Sequence, residues 1–399
     1  MERSWGRARR LGFGGTVAAL LTALLVAACG GGGGTGGTGS AATAEALTVG
    51  PVRGFGSIIV NGVRFDDSGV QAEDEDAGER GHASSVRLGS MVEIQSARVD
   101  DSTGRARALH IRFGSEIVGP VDSVDVAGSS LVVLGQTVDV KPETVFDDSI
   151  AGGLAGLAAG DLVEVHAQFD ASSGHYVATR VEKEDGVLFY KLRGVVASLD
   201  TTAKTFRIGG ALISYAQVAD LPSAFGDGLK VRVRLAKTQA TAGTWDAVTI
   251  RSGVRHVEDR EEARLVGNVS AFTSPTSFEV AGIPVDASNA RIDNGPVTAS
   301  SRVEVRGSAS NGTIVATRVT VLRPSDDLVR GVELHGTIES IDATAKTFML
   351  RGVKVTWTDT TAFLRGSVAG LAVGAKVEAK GALSSDGTTM TAALIQFED

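Results

Sequence analysis

The chain has 399 residues, 47 of them acidic and 39 basic, for a formal net charge of −8, and it contains a single cysteine. An acidic body gains no counterion-release energy from a phosphate backbone, so nucleic acid is not expected as a partner. One cysteine allows no disulfide within the chain, and stability must come from packed cores.

The amino-terminal segment reads as a lipoprotein signal peptide over residues 1–28. Arg3, Arg7, Arg9 and Arg10 form a positive start, and the apolar run from Leu11 to Val26 is shorter than the ~20 residues of a bilayer span. Val26-Ala27-Ala28-Cys29 has the form of a bacterial lipobox, which makes Cys29 the expected lipidation site. An uncleaved anchor and an ordinary secretion signal are the alternatives. Residues 29–48, rich in glycine from Gly30 to Gly34, form a flexible tether. Gly30, where an aspartate would favour inner-membrane retention, points to the outer membrane, with the body in the periplasm or at the cell surface.

The rest of the chain repeats itself. A glycine within a short alternating strand recurs at Gly54, Gly119, Gly194, Gly267 and Gly336, and a second glycine opens another strand at Gly62, Gly135, Gly210, Gly282 and Gly352. Alternating strands follow at Val92, Val163, Val231, Val303 and Val377. An alanine with a β-branched residue three places on comes last: Ala108/Ile111, Ala178/Val181, Ala247/Ile250, Ala316/Val319 and Ala392/Ile395. Four anchors in one order, five times over, at a period of roughly 65–75 residues, mark tandem duplication. The copies fall at 49–114, 115–186, 187–256, 257–325 and 326–399.

Within each copy the period-two pattern predicts five short strands with a helical turn between the third and fourth, as at Leu154-Ala-Gly-Leu-Ala-Ala-Gly. The fold class is therefore all-β, as five tandem OB-like barrels or, alternatively, half-sandwiches that pair between copies. The charged run His256–Arg264 reads as a linker or a solvated strand extension.

The stretch from Gly54 to Asp66, then Gly119-Pro-Val-Asp-Ser-Val with Leu131–Val140 and Thr144–Asp148, resembles a bacterial secreted family known as a domain of unknown function of the DUF5666 type. The first two copies carry the resemblance most specifically, and the third departs most, having Val231-Arg-Val. It implies an envelope lipoprotein with repeated β domains and transfers no catalytic residues.

Candidate sites are few. Asp66, Asp67, Glu73, Asp74, Glu75 and Asp76 form an acidic stretch with oxygen ligands for calcium, but without the regular spacing of an EF-hand. Glu79-x-x-His82 beside it is the place to seek a transition metal. A solvated loop explains both at least as well, so no metal or other cofactor is assigned. His82, His110, His166, His175, His256 and His335 are read as surface or hydrogen-bonded histidines, with only His166 and His175 on neighbouring strands. Trp245, Trp357 and Tyr176 lie near strand ends in separate copies. No serine nucleophile elbow or phosphate loop is present.

The expected function is a non-enzymatic, lipid-anchored envelope protein whose modules form a rod and present surfaces to another envelope protein. The alternative is a ligand- or glycan-binding protein, favoured if aromatic and polar residues converge in one cleft. A third class is a metal-dependent enzyme at the acidic loop of the first copy.

Overall fold

The computed structural model describes residues 45–398 apart from 76–79, 83–85, 256, 324–330 and 385–386. The segment expected to be a signal peptide, Cys29 and the expected tether up to residue 44 lie outside the described residues. The described chain is all-β, with two 3-10 turns at Gly153–Gly156 and Val368–Gly370. Both turns fall between the third and fourth long strands of their copies, where the Leu/Ala/Gly pattern puts them.

Every copy closes on itself through one circuit of pairings. In the second copy the first strand (Ile117–Asp125) pairs antiparallel with the second (Ser130–Val133) and with the fourth (Leu162–Asp170). The second pairs with the third (Gln136–Asp139), the third runs parallel to the fifth (His175–Lys183), and the fifth pairs back to the fourth. The same circuit closes the other four copies. Each copy is thus a small five-stranded barrel of OB-like order, and closure leaves it no long free edge.

The recurring residues have physical reasons. Second and third strands are joined by two-residue turns, Asn61-Gly62, Leu134-Gly135, Gly209-Gly210, Ala281-Gly282 and Arg351-Gly352. Asn61 and Gly62 have φ of 53° and 76°, the pair of positive values that a type I′ hairpin requires. Val92, Val163, Val231, Val303 and Val377 are fully buried inside their barrels.

The alanine anchor marks a bulge. Strict alternation would place residues three apart on opposite faces, yet Ala178 and Val181 are both buried. The register explains it: His166 pairs with Arg180 and Ala167 with Ala178, so Thr179 is an extra residue. Leu109, Val248, Thr317 and Ala393 are skipped in the same way in the other copies. The extra residue bends the fifth strand, as closing so small a sheet demands.

The barrels do not form the expected rod. Ala46–Val49 run parallel to Glu262–Leu265 of the fourth copy, and Gly54–Phe55 run parallel to Glu333–Leu334 of the fifth. Ile117–Val118 pair with Lys191–Leu192, joining the second barrel to the third. The first and fifth copies share one apolar core, the second and third share another, and Leu47 and Val49 cover the core of the fourth. A lone 70-residue barrel buries a modest share of its surface, and these contacts add to it. Two expectations shift accordingly. Strand begins at Ala46, inside the segment expected to be tether, and Arg260–Arg264 belong to a paired strand with Ala263 buried, not to a solvated extension.

Gly54 tests the contact between the first and fifth copies, because a Cβ there would lie 2.3 Å from the carbonyl oxygen of Glu333. Gly54→Ala is expected to lower stability by about 2 kcal/mol. Gly62→Ala, whose Cβ would meet nothing within 4 Å, should cost only its backbone strain, about 1 kcal/mol. Urea unfolding of the two variants checks the order.

Candidate functional site

The second, third and fourth barrels meet around a cleft of about 180 Å³ whose lining is mostly apolar and to which the first copy adds Met91. Phe169 and Tyr176 line it with ring centroids 5.3 Å apart in edge-to-face contact, together with Ile208, Val195 and Ala281. Two buried glutamines fix the three barrels around it. Gln136 donates from Nε2 to the carbonyls of Leu134 at 3.0 Å and Ile208 at 2.7 Å, holding copy two to copy three. Gln168 donates to the carbonyl of Val266 at 3.0 Å and accepts from Arg302 at 2.8 Å, holding copy two to copy four. The Tyr176 hydroxyl donates to the carbonyl of Arg193 at 2.5 Å, and burial raises its pKa, so the phenol stays neutral.

One wall of this cleft is ionic. Arg193 lies 2.5 Å from Glu75 and 3.5 Å from Glu116, and Arg255 donates to Glu116 at 3.1 Å. Arg232 donates to the carbonyl of Glu75 at 3.0 Å. Burial pushes the Glu75 carboxyl up, but the guanidiniums of Arg255 and Arg193 outweigh it and hold the pKa below the ordinary value. Behind the wall, between copies one and three, a polar hollow of about 220 Å³ is lined by the same arginines with Arg112, Glu73 and Glu93. Burial raises the pKa of Glu93 against the pull of Arg255 and Arg112.

A second cluster lies where copies one and five touch. Glu333, His335 and Glu378 have donor atoms within 4.8 Å of one another, a spacing that suits a metal ion. His335 Nε2 is 2.8 Å from Glu333 and 3.1 Å from Glu378, while Nδ1 is 2.8 Å from Glu398. Arg64 of the first copy forms a two-pronged contact with Glu333, one arm at 2.7 Å, and Lys380 lies 2.7 Å from Glu378. With His335 charged, its three carboxylates are balanced by His335, Arg64 and Lys380. Burial opposes that charge, but hydrogen bonds to Glu333 and Glu398 and attraction from Glu378 outweigh it and raise the His335 pKa. Burial likewise opposes ionisation of Glu333, and hydrogen bonds from His335 and Arg64 overcome it, placing its pKa well below the ordinary value.

The acidic loop serves these junctions. Glu73 lies 3.5 Å from Arg112, and Glu75 is held by Arg193. Asp66 accepts from the backbone N–H of Ser68 at 3.0 Å and stabilises its own turn, whereas burial raises the pKa of Asp67. Asp74 ends a short strand, Gln71–Asp74. Asp76 and Glu79 lie outside the described residues, and of His82 only its place in the strand Arg80–His82 is described. His166 and His175 stay apart. His166 sits opposite Arg180, and His175 contacts Asp139 at 3.1 Å. His110 is exposed, and His256 lies outside the described residues. Trp357 is core, 6.0 Å from Phe348, Trp245 packs on Tyr190, and Tyr176 alone of the three reaches the cleft.

The residues missed in the sequence are those that break the repeat. Gln136 follows the hairpin turn, where the other copies have Val63, Ala211, Ile283 and Val353. Gln168 stands where they have Ala97, Ala236, Ser308 and Ala382. Arg193 and His335 both precede the first anchor glycine of their copies.

The His335 cluster makes stability pH-dependent with a defined sign. A raised histidine pKa gives stabilisation that is complete below 6.5 and lost as pH rises through the folded value, and the lowered Glu333 pKa gives stabilisation that is complete above 4.5 and lost in acid. Thermal melts across pH 5–9 should show the wild-type chain losing stability above 6.5 relative to His335→Asn.

Three stretches, residues 118–182, 266–320 and 335–396, match the family model described as "Domain of unknown function (DUF5666)". They fall in the second, fourth and fifth barrels. The first, expected to be among the most specific, and the third lie outside the matches although both close by the same pairings. The search of curated proteins gave no match. Among solved structures, one titled "drosophila Unr CSD456" is similar at 15% identity, covering 53% of this chain and 98% of its own, with a TM-score of 0.14. The barrel assignment stands on the strand pairings above, and three of the five barrels match the DUF5666 domain, a repeated domain of unknown function.

Proposed function

We propose that the chain is a lipid-anchored envelope protein that binds a small ligand between its barrels and does no chemistry on it. The supporting observation is the cleft of about 180 Å³ where the copies meet, lined by Phe169 and Tyr176 together with Gln136, Gln168 and Arg193. That convergence of aromatic and polar groups favours binding over a purely structural role. The structural reading drew on the reach of a rod, which folding the barrels together shortens. The cleft's glutamines and its tyrosine are bonded to other parts of the protein, which holds its walls in place. The lipid anchor rests on Val26-Ala27-Ala28-Cys29 and the glycine tether after it.

Val195 is 43% exposed at the rim of the cleft, so Val195→Trp blocks the opening without disturbing a core. Native mass spectrometry of the chain purified from its own cells should show a retained small molecule in the wild type and none in Val195→Trp; identical spectra without added mass contradict binding. Mass spectrometry of the native protein should show Cys29 as an acylated amino terminus, and an unmodified Cys29 thiol would overturn anchoring.

A further inference from the structure

The charge of the lining narrows the ligand. Four charged side chains border the cleft: Arg193, Arg255 and Lys230 against the one carboxylate of Glu116. The partners that complete the balance stand behind them. Glu75 lies on the far side of Arg193, and Glu279, which pairs with Lys230, is not part of the lining. Arg193 and Arg255 both direct guanidinium nitrogens at Glu116, so the two cations of the lining are held together around one carboxylate. Phe169, Tyr176 and Ile208 supply apolar lining to the same cleft. Low-dielectric walls strengthen the field that such a lining sets up. A volume of about 180 Å³ is close to that of cavities that admit a single benzene ring, roughly 150 Å³.

We propose that the cleft takes a small organic monoanion, a carboxylate or similar head on one compact apolar ring or branched body, with its head at Arg193 and Arg255 and its body against Phe169, Tyr176 and Ile208. This rests on the binding function proposed above and adds the chemical class of the ligand. A guanidinium pair recognises a carboxylate through charge-assisted hydrogen bonds, which a neutral analogue of the same shape forgoes.

The test compares benzoate with benzyl alcohol, two probes of similar size that differ in charge, by calorimetric titration of the full chain. Benzoate is expected to bind about tenfold or more tightly than benzyl alcohol. Arg255→Met should remove that preference while leaving benzyl alcohol binding in place, and Arg255→Lys should keep part of it. Val195→Trp should abolish binding of both. Retained benzyl alcohol binding in Arg255→Met also shows that the variant is folded. Equal affinity of the two probes, or a preference for benzoate that survives Arg255→Met, overturns the anion assignment but leaves the cleft a binding site. If neither probe binds the wild type, the anion assignment and the binding function fall together.

Discussion

A domain of about 70 residues without a disulfide has one route to a closed sheet here, the parallel pairing of its third strand with its fifth. In the second copy that pairing is two residues long, Val138 with Tyr176 and Asp139 with Val177. So short a seam needs help from both sides. The two-residue turn before the third strand sets its register, and the bulge in the fifth bends that strand toward it. The four anchors of the repeat serve this closure. A glycine gives room on the first strand, where a Cβ on Gly119 would sit 2.5 Å from Leu134. A second glycine makes the turn, a buried valine fills the barrel, and an alanine marks the bulge.

Closure alone leaves each barrel small, and the barrels gain from burying surface against one another. Strand pairs and shared cores do this between copies one and five and between two and three. Polar contacts then set which barrel meets which. Arg193 to Glu75, Arg64 to Glu333 and Gln168 to Val266 each cross from one copy to another. Buried or partly buried hydrogen bonds and ion pairs are costly when one partner is missing, so they favour one arrangement over others that bury similar apolar area. The cleft is a product of that arrangement and belongs to no single copy.

Much of the barrel was legible in the sequence because its signals are local. Period-two alternation gave the strands, and Val163 and its equivalents gave the inward face, while Gly62, read as opening a strand, sits in the turn just before it. The three-residue spacing of Ala178 and Val181 was visible as a recurrence, but its meaning needed the register opposite His166 and Ala167. The junctions were not legible, because their partners lie far apart in sequence. Glu75 and Arg193 belong to different copies, and His335 meets Glu378 only through the antiparallel register of two strands. Each residue taken alone resembles an ordinary surface charge. The usable signal was divergence within the repeat, as at Gln136 and Gln168, where one copy carries a polar side chain that the others lack.

The account depends on five barrels packed as one body, since a string of separate beads has no cleft between the second, third and fourth. Small-angle X-ray scattering of the body from residue 45 onward measures this directly. A single packed body of this length should give a radius of gyration of about 21 Å. A value near twice that, with the elongated profile of beads in line, would contradict it.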